Sequence, residues 1–320
     1  MKDDIKIEHL NVTFKTEGQE VRAVRDVSTT FEAGRVTGLI GESGSGKSVL
    51  GMSVLQLLPG TARVEGTCFY HGRNLYGLKE KEMQGIRGKE ISLIPQNPAE
   101  SMNPAFKIRR QLTEAVTVHD RKKRSEAQIR SEELLKRFGF DRPEDVLGKY
   151  TFQLSGGMNQ RVVSVLGLMN HPRWIIADEP TKGLDAILRR QVYQVLKRMI
   201  EEDKVNMMVI THDIVLAEKL CDRLMVLYQG VILEQGNTED IMRDAKHPYT
   251  RGLIGSLPGR GMKPIPLPME ERLNERAECP FYSRCIHAVK RCQEELPGEY
   301  TLKDGRIVRC FLYDRSDQSE

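Results

Sequence analysis

One octapeptide restricts this chain more than any other feature: Gly41-Glu42-Ser43-Gly44-Ser45-Gly46-Lys47-Ser48. It follows Arg35–Gly41, a short, mostly apolar run that reads as a strand. It precedes Lys47–Leu58, which has helical composition and is stopped by Pro59-Gly60. A strand that empties into a glycine-rich turn and then a helix fits the phosphate-loop pattern Gly-x4-Gly-Lys-Ser. The glycines let backbone N–H groups turn inward around phosphate oxygens. Lys47 supplies a point charge to the outer phosphates, and the Ser48 hydroxyl is placed to ligate Mg²⁺. The following helix aims its positive end at the same anion. All eight residues are therefore candidate ligands of ATP.

A second segment completes the chemistry. Trp174-Ile175-Ile176-Ala177 is an apolar strand that ends in Asp178-Glu179. Two acids at the carboxyl edge of a sheet stand where α/β folds bind ligands. Asp178 is suited to hold Mg²⁺ and Glu179 to polarise an attacking water.

Elsewhere the apolar pattern alternates between strands and helices. Ile5, Ile7, Val12 and Phe14 read as edge strands, and Val64–His71 as another strand. Between Ala105 and Leu147 lies a helical insert, in which Ile129, Leu134, Leu135 and Phe138 recur at helical spacing. Leu188, Val192, Val195 and Met199 mark one helix face. Val205–Thr211 reads as a strand and Ile214–Leu220 as a helix. Leu224–Leu227 and Val231–Glu234 form a hairpin around Gln229-Gly230. Such alternation predicts a mostly parallel sheet flanked by helices.

Bulk properties exclude several classes. The 320 residues carry 49 basic and 45 acidic side chains, a net charge of +4, with no concentrated basic face of the kind nucleic acid requires. The run Arg121-Lys122-Lys123-Arg124 reads as a solvated helix approach. MKDDIKIEHL has no apolar central region and is not a signal peptide. Apolar stretches such as Val162–Met169 fall far short of the ~20 residues of a membrane span. The expectation is a cytoplasmic protein with any membrane role peripheral.

The run Leu154-Ser155-Gly156-Gly157-Met158-Asn159-Gln160-Arg161 opens a helix with a serine and two glycines, a second anion-binding end. It closely resembles the signature of ATP-binding cassette (ABC) proteins, and the resemblance covers about residues 5–250. The family implies a phosphate-loop cassette with a mixed sheet core, an antiparallel β subdomain and a helical subdomain at about 100–165. It implies that Phe14 stacks on adenine and that Gln96 touches Mg²⁺ and the attacking water. By the same resemblance His212 contacts the γ-phosphate. Leu154, Ser155, Gly156, Gly157 and Gln160, with Asp185 of the Leu184-Asp185 loop, would complete the site of a second subunit. Glu179, His212 and Gln96 are then the catalytic set, and Ser48, Gln96 and Asp178 the Mg²⁺ set. Asn159 and Lys182 depart from the family pattern without removing a catalytic group.

Four of the six cysteines fall in the last 42 residues: Cys279, Cys285, Cys292 and Cys310, spaced C-x5-C-x6-C-x17-C. In a reducing compartment this suggests metal ligation over disulfides, and the chemistry leaves iron–sulfur, zinc and no metal open. His247-Pro248-Tyr249-Thr250, a proline-rich linker and Cys279-Pro280-Phe281-Tyr282-Ser283-Arg284-Cys285 resemble the C-terminal extension of ATPases serving oligopeptide, dipeptide and nickel importers. That resemblance implies a [4Fe-4S] cluster on the four cysteines, with zinc the alternative. Cys68 and Cys221 read as packing residues.

The expected organisation is an ATPase domain over 1–250 and a linker with a Cys-rich domain over 251–320. The expected role is ATP hydrolysis that energises peptide import at the inner face of the membrane, with nickel or metal-chelate import as the alternative and a non-transport ABC ATPase more remote. The resemblance implies a second ATPase subunit in a heterodimer, two membrane permease subunits and an external solute-binding protein.

Overall fold

The computed structural model describes residues 3–16, 18–269 and 278–314. Its strands are β1 (Ile5–Thr16), β2 (Gln19–Phe31), β3 (Val36–Ile40), β4 (Ala62–Tyr70), β5 (Arg73–Asn74), β6 (Ile91–Ile94), β7 (Trp174–Asp178), β8 (Asn206–Thr211), β9 (Arg223–Tyr228), β10 (Val231–Asn237), β11 (Tyr300–Thr301) and β12 (Ile307–Val308). Its α-helices are α1 (Lys47–Val54), α2 (Glu80–Gln84), α3 (Pro98–Ser101), α4 (Ile108–Thr117), α5 (Arg124–Arg137), α6 (Pro143–Leu147), α7 (Gly156–Leu168), α8 (Ala186–Glu201), α9 (Ile214–Leu220), α10 (Thr238–Arg243), α11 (Pro248–Gly255) and α12 (Lys290–Glu294).

These strands form two sheets. A four-stranded antiparallel sheet has the order β2-β1-β4-β5, and an eight-stranded mixed sheet the order β11-β12-β10-β9-β3-β8-β7-β6. From β9 to β6 the large sheet is parallel. Its strands are buried on both faces, so they read as continuous apolar runs. Their side chains alternate between two cores. Leu39, Ile176, Met208, Ile210, Met225 and Leu227 pack toward α1 and the antiparallel sheet. Ile40, Ile175, Ala177, Val209 and Val226 pack toward the helical side. The mixed core, antiparallel sheet and helices are those expected of the cassette.

Several local expectations are corrected. Ile5 to Phe14 do not form edge strands; they lie in one strand, β1, paired on both sides by β2 and β4. Register shifts between Ile7 and Leu10, and again toward Thr13, break its alternation and hide its length. β2 was not anticipated. Helix α1 stops at Val54 instead of Leu58, because Gln56 turns left-handed at φ 50. Ile129 is 61% exposed and belongs to no core face, whereas Leu134, Leu135 and Phe138 are buried as expected.

Helices α3 to α7 form the insert, packed on Ile108, Leu112, Leu134, Leu135, Val146 and Leu147. The basic run at 121–124 is exposed, as expected. Among the described residues, no helix is long and apolar enough to cross a membrane.

The two short strands β11 and β12 join the large sheet. β12 pairs antiparallel with β10 through Glu234 with Val308 and Gln235 with Ile307. Arg309 N–H donates to Leu233 O at 2.9 Å. The Arg309 side chain donates to Asp26 O at 3.0 Å, and Arg25 pairs with Glu278 at 2.9 Å. α11 runs on to Gly255, past the composition change expected at Thr250. Residues 270–277 and 315–320 of the expected C-terminal unit lie outside the described residues.

Candidate nucleotide site and cysteine cavity

Three neighbouring strands, β3, β8 and β7, bring the chemistry together at their carboxyl ends. β3 leads into the glycine-rich loop. Gly46 caps α1 in the left-handed region at φ 100, and a Cβ there would lie 2.2 Å from Ala23 O. Gly41 is equally confined, since its Cβ would meet Leu227 O at 2.1 Å. Only glycine lets the loop pass between these two carbonyls.

Lys47 Nζ donates to Gly41 O at 2.9 Å and to Glu42 O at 2.8 Å. Burial lowers its pKa, while Glu179 and Asp178 pull it back up. Ser48 Oγ donates to Asp178 Oδ1 at 2.8 Å. Burial raises the Asp178 pKa against that hydrogen bond. Buried and only partly compensated, this carboxylate is suited to a cation.

Glu179 is 6% exposed and held at φ 48. A left-handed acid carries strain of the kind that collects at functional sites. Its N–H donates to Ile210 O on β8 at 2.7 Å. Its Oε2 lies 2.6 Å from Nδ1 of His212, the residue that follows β8. Ser48, Asp178, Glu179 and His212 are thus linked pairwise. Gln96 stands two residues beyond β6, the strand next to β7, and is half-buried. Phe14 lies on β1, opposite Val21 and Ala62, and is half-buried.

The second anion-binding helix end lies on another layer. α7 packs on α3, α4, α5, α8 and β6, whereas α1 packs on β2, β7 and β8. Ser155 caps α7, accepting from Met158 N–H at 3.3 Å. Gly156 is open, and Gly157 lies tight against Leu188. Leu154 and Gln160 are buried. The unusual Asn159 is buried too and donates to Thr151 O at 3.1 Å and Leu154 O at 3.4 Å. It braces the turn before the helix and does not face solvent. Asp185 is exposed and caps α8 through Leu188 N–H at 2.9 Å. Lys182 is exposed, yet its charge lowers the pKa of both Asp178 and Lys47.

The four clustered cysteines line one cavity of about 100 Å³, with His247, Phe281, His287 and Phe311 among its walls. Burial pushes the Cys279 thiol up to about 12 and the Cys310 thiol to about 11, and the neighbouring thiols add to both. Among the described residues, no three His, Cys, Asp or Glu side chains are gathered tightly enough to hold a metal ion. Cys68 and Cys221 are buried packing residues, as expected.

Two contacts to the loop were not anticipated. Glu42 N–H donates to Tyr249 Oη at 3.1 Å, and Arg284 NH1 donates to the Glu42 carboxylate at 3.1 and 3.2 Å. Both residues sit in the segments that carry the resemblance to importer ATPases, which was the one signal that could have found them.

Residues 24–182 match the ABC transporter family, and residues 233–292 match the oligopeptide/dipeptide transporter C-terminal region. The dipeptide transport ATP-binding protein DppD of Bacillus subtilis is 35% identical, over 98% of this chain and 96% of its own. The oligopeptide transport ATP-binding protein OppD of Escherichia coli is 34% identical, over 96% and 92%. The dimeric structure of the bacterial ABC transporter cassette MJ0796 superposes with a TM-score of 0.65 at 27% identity, covering 73% of this chain and 98% of that one. A post-hydrolysis dimer of the same cassette bound to ADP and Pi gives a TM-score of 0.62 at 26% identity.

Proposed function

The chain belongs to the ATPases of the ABC transporter family, in the branch with an oligopeptide/dipeptide transporter C-terminal region, and from that premise we propose that it energises peptide import. One observation carries the reading of the site. Ser48 Oγ and Asp178 Oδ1 lie 2.8 Å apart, with Ser48 following Lys47 in sequence and Glu179 following Asp178 and held by His212. Ser48, Asp178 and Gln96 would hold Mg²⁺, which when bound neutralises phosphate charge. Backbone N–H groups of the Gly41–Ser48 loop, apart from that of Glu42, which donates to Tyr249 Oη, would cradle the phosphates, with Lys47 reaching the outer ones. Phe14 would carry the adenine. Glu179 would orient and polarise the attacking water, and His212 would pass from Glu179 to the γ-phosphate. Catalysis is then positioning and charge neutralisation.

Leu154, Ser155, Gly156, Gly157, Gln160 and Asp185 would complete the site of a second ATPase subunit. Support comes from the separation of the two anion-binding helix ends within one chain, which leaves each site half-built. A heterodimer, two permease subunits and an external binding protein complete the assembly at the inner membrane face. Residues 1–250 would run the cycle and 251–320 would form the accessory tail. The relatives named above transport dipeptides and oligopeptides, which favours peptide over nickel as cargo.

Cys279, Cys285, Cys292 and Cys310 would hold a [4Fe-4S] cluster, which when bound supplies a one-electron centre or a crosslink. The shared cavity and all-thiol donor set support this.

The test is peptide uptake by cells in which this chain carries Glu179→Gln. Uptake should be lost while nucleotide binding by the purified chain persists; unchanged uptake would refute the assignment.

A further inference from the structure

Glu42 is held from outside the loop, at both its backbone and its side chain. Its N–H is committed to Tyr249 Oη at 3.1 Å and its carboxylate to Arg284 at 3.1 Å. Arg284 is itself fixed. Its side chain is 14% exposed, Nε donates to Pro266 O at 2.7 Å, and NH1 reaches Tyr228 Oη at 3.3 Å. Both partners begin at the cysteine cavity. Arg284 directly precedes Cys285, and Tyr249 lies two residues after His247 in the cavity wall. Phe281, 1% exposed, forms part of that wall and stands 5.5 Å from the rings of both Tyr228 and Tyr249. A continuous packed path therefore runs from the four thiols to the second residue of the phosphate loop.

We infer that Tyr249 and Arg284 are positioning residues for the phosphate loop, and that through them the cysteine cavity and the nucleotide site are coupled. The inference rests on reading Gly41–Ser48 as the ATP site. The electrostatic reason is direct. A carboxylate at the second loop position repels bound phosphates, and the guanidinium beside it cancels that repulsion. Removing Arg284 alone exposes the repulsion; removing the charge of Glu42 as well abolishes it. A purely structural contact would not behave this way, since losing both partners would not restore binding. Coupling between two sites is also reciprocal, so nucleotide must in turn act on the cavity.

The test is calorimetric titration of the purified full chain with MgADP at low salt. The Glu42 pair is partly solvated, so Arg284→Met should weaken binding about fivefold, with the deficit shrinking at high salt. In a Glu42→Gln background, where the repelling charge is gone, Arg284→Met should change affinity by no more than about twofold. Arg284→Lys, which keeps the charge, should recover part of the loss. Saturating MgADP should slow backbone amide hydrogen exchange in the segments that carry Cys279, Cys285, Cys292 and Cys310, read peptide by peptide by mass spectrometry, and should do so less in Arg284→Met. Lys47→Ala separates the two readings. If it leaves MgADP binding unchanged, the site assignment fails. If it abolishes binding but Arg284→Met does not alter it, or Arg284→Met costs as much with Glu42→Gln as without it, the positioning role fails. Amide exchange around the cavity that is indifferent to MgADP in the parent chain overturns the coupling.

Discussion

Alanine at Gly46 should cost far more than alanine at Gly44, although both glycines lie in the phosphate loop with positive φ. Gly46 sits at φ 100 and Gly44 at φ 79, so each substitution carries a left-handed penalty of about 1–2 kcal/mol. The difference is space. A Cβ on Gly44 meets nothing within 4 Å, whereas one on Gly46 lies 2.2 Å from the backbone oxygen of Ala23. Side-chain carbons do not approach within 3.0 Å, so β2 and the loop must part by most of an ångström. Overpacking of that kind costs about 1–3 kcal/mol. Gly46→Ala should therefore lose roughly 2–5 kcal/mol and Gly44→Ala roughly 1–2 kcal/mol. The ligand effect follows from the same displacement. Gly46 caps α1, so Lys47 and Ser48 move with it, and a ~1 Å misplacement can cost about a hundredfold. Urea unfolding gives the stabilities and MgADP calorimetry the affinities. If the two variants agree within about 0.5 kcal/mol, the contact with Ala23 does not govern the loop and the reasoning fails.

Other outcomes follow from the same geometry. Glu179→Gln should lower ATP turnover roughly 10²–10⁴-fold in the assembled transporter while MgATP binding survives, so a turnover near the parent value would remove Glu179 from catalysis. Asn159→Ala removes two bonds to buried carbonyls and should destabilise the chain by about 1–3 kcal/mol in urea, with MgADP affinity of the isolated chain unaltered; a stability change below 0.5 kcal/mol would show that the brace is idle. Cys68 is fully buried with its thiol pushed up to about 12. Its thiolate is scarce at pH 8, so iodoacetamide should spare Cys68 in the native chain and label it only in urea.

What could be read in advance was local. The strand, loop and helix around Lys47, the acid-ended strand β7, helix α9 and the turn at Gln229-Gly230 each announce themselves within a few residues. That turn is left-handed at both positions, φ 43 and φ 82, as tight hairpins demand. What escaped was non-local or irregular. The bulges of β1 shift its alternation between Ile7 and Leu10, so a long central strand looks like short edge pieces. β11 and β12 have two residues each, too short for any period to show. Arg284 and Glu42 are separated by 242 positions, and neither carries a mark that identifies the other. The four cysteines were visible, but their shared cavity depends on how α12 and the turns around them fold.

The pairing of β12 with β10 also sets an order of events during synthesis. β10 ends at Asn237, and the strand that covers its free edge is made about seventy residues later, at Ile307–Val308. Until then Glu234, which is fully buried once the sheet is complete, lies on an open edge, and the backbone there is available to any other strand. A ribosome that stalls after α11 releases a chain with its nucleotide loop, acids and signature helix all present, but with an uncapped sheet and without Arg284. Such a fragment is open to aggregation and to capture by quality control. Closure of this edge thus waits on the same segment that carries Arg284, so the sheet is completed only once β12 has been made.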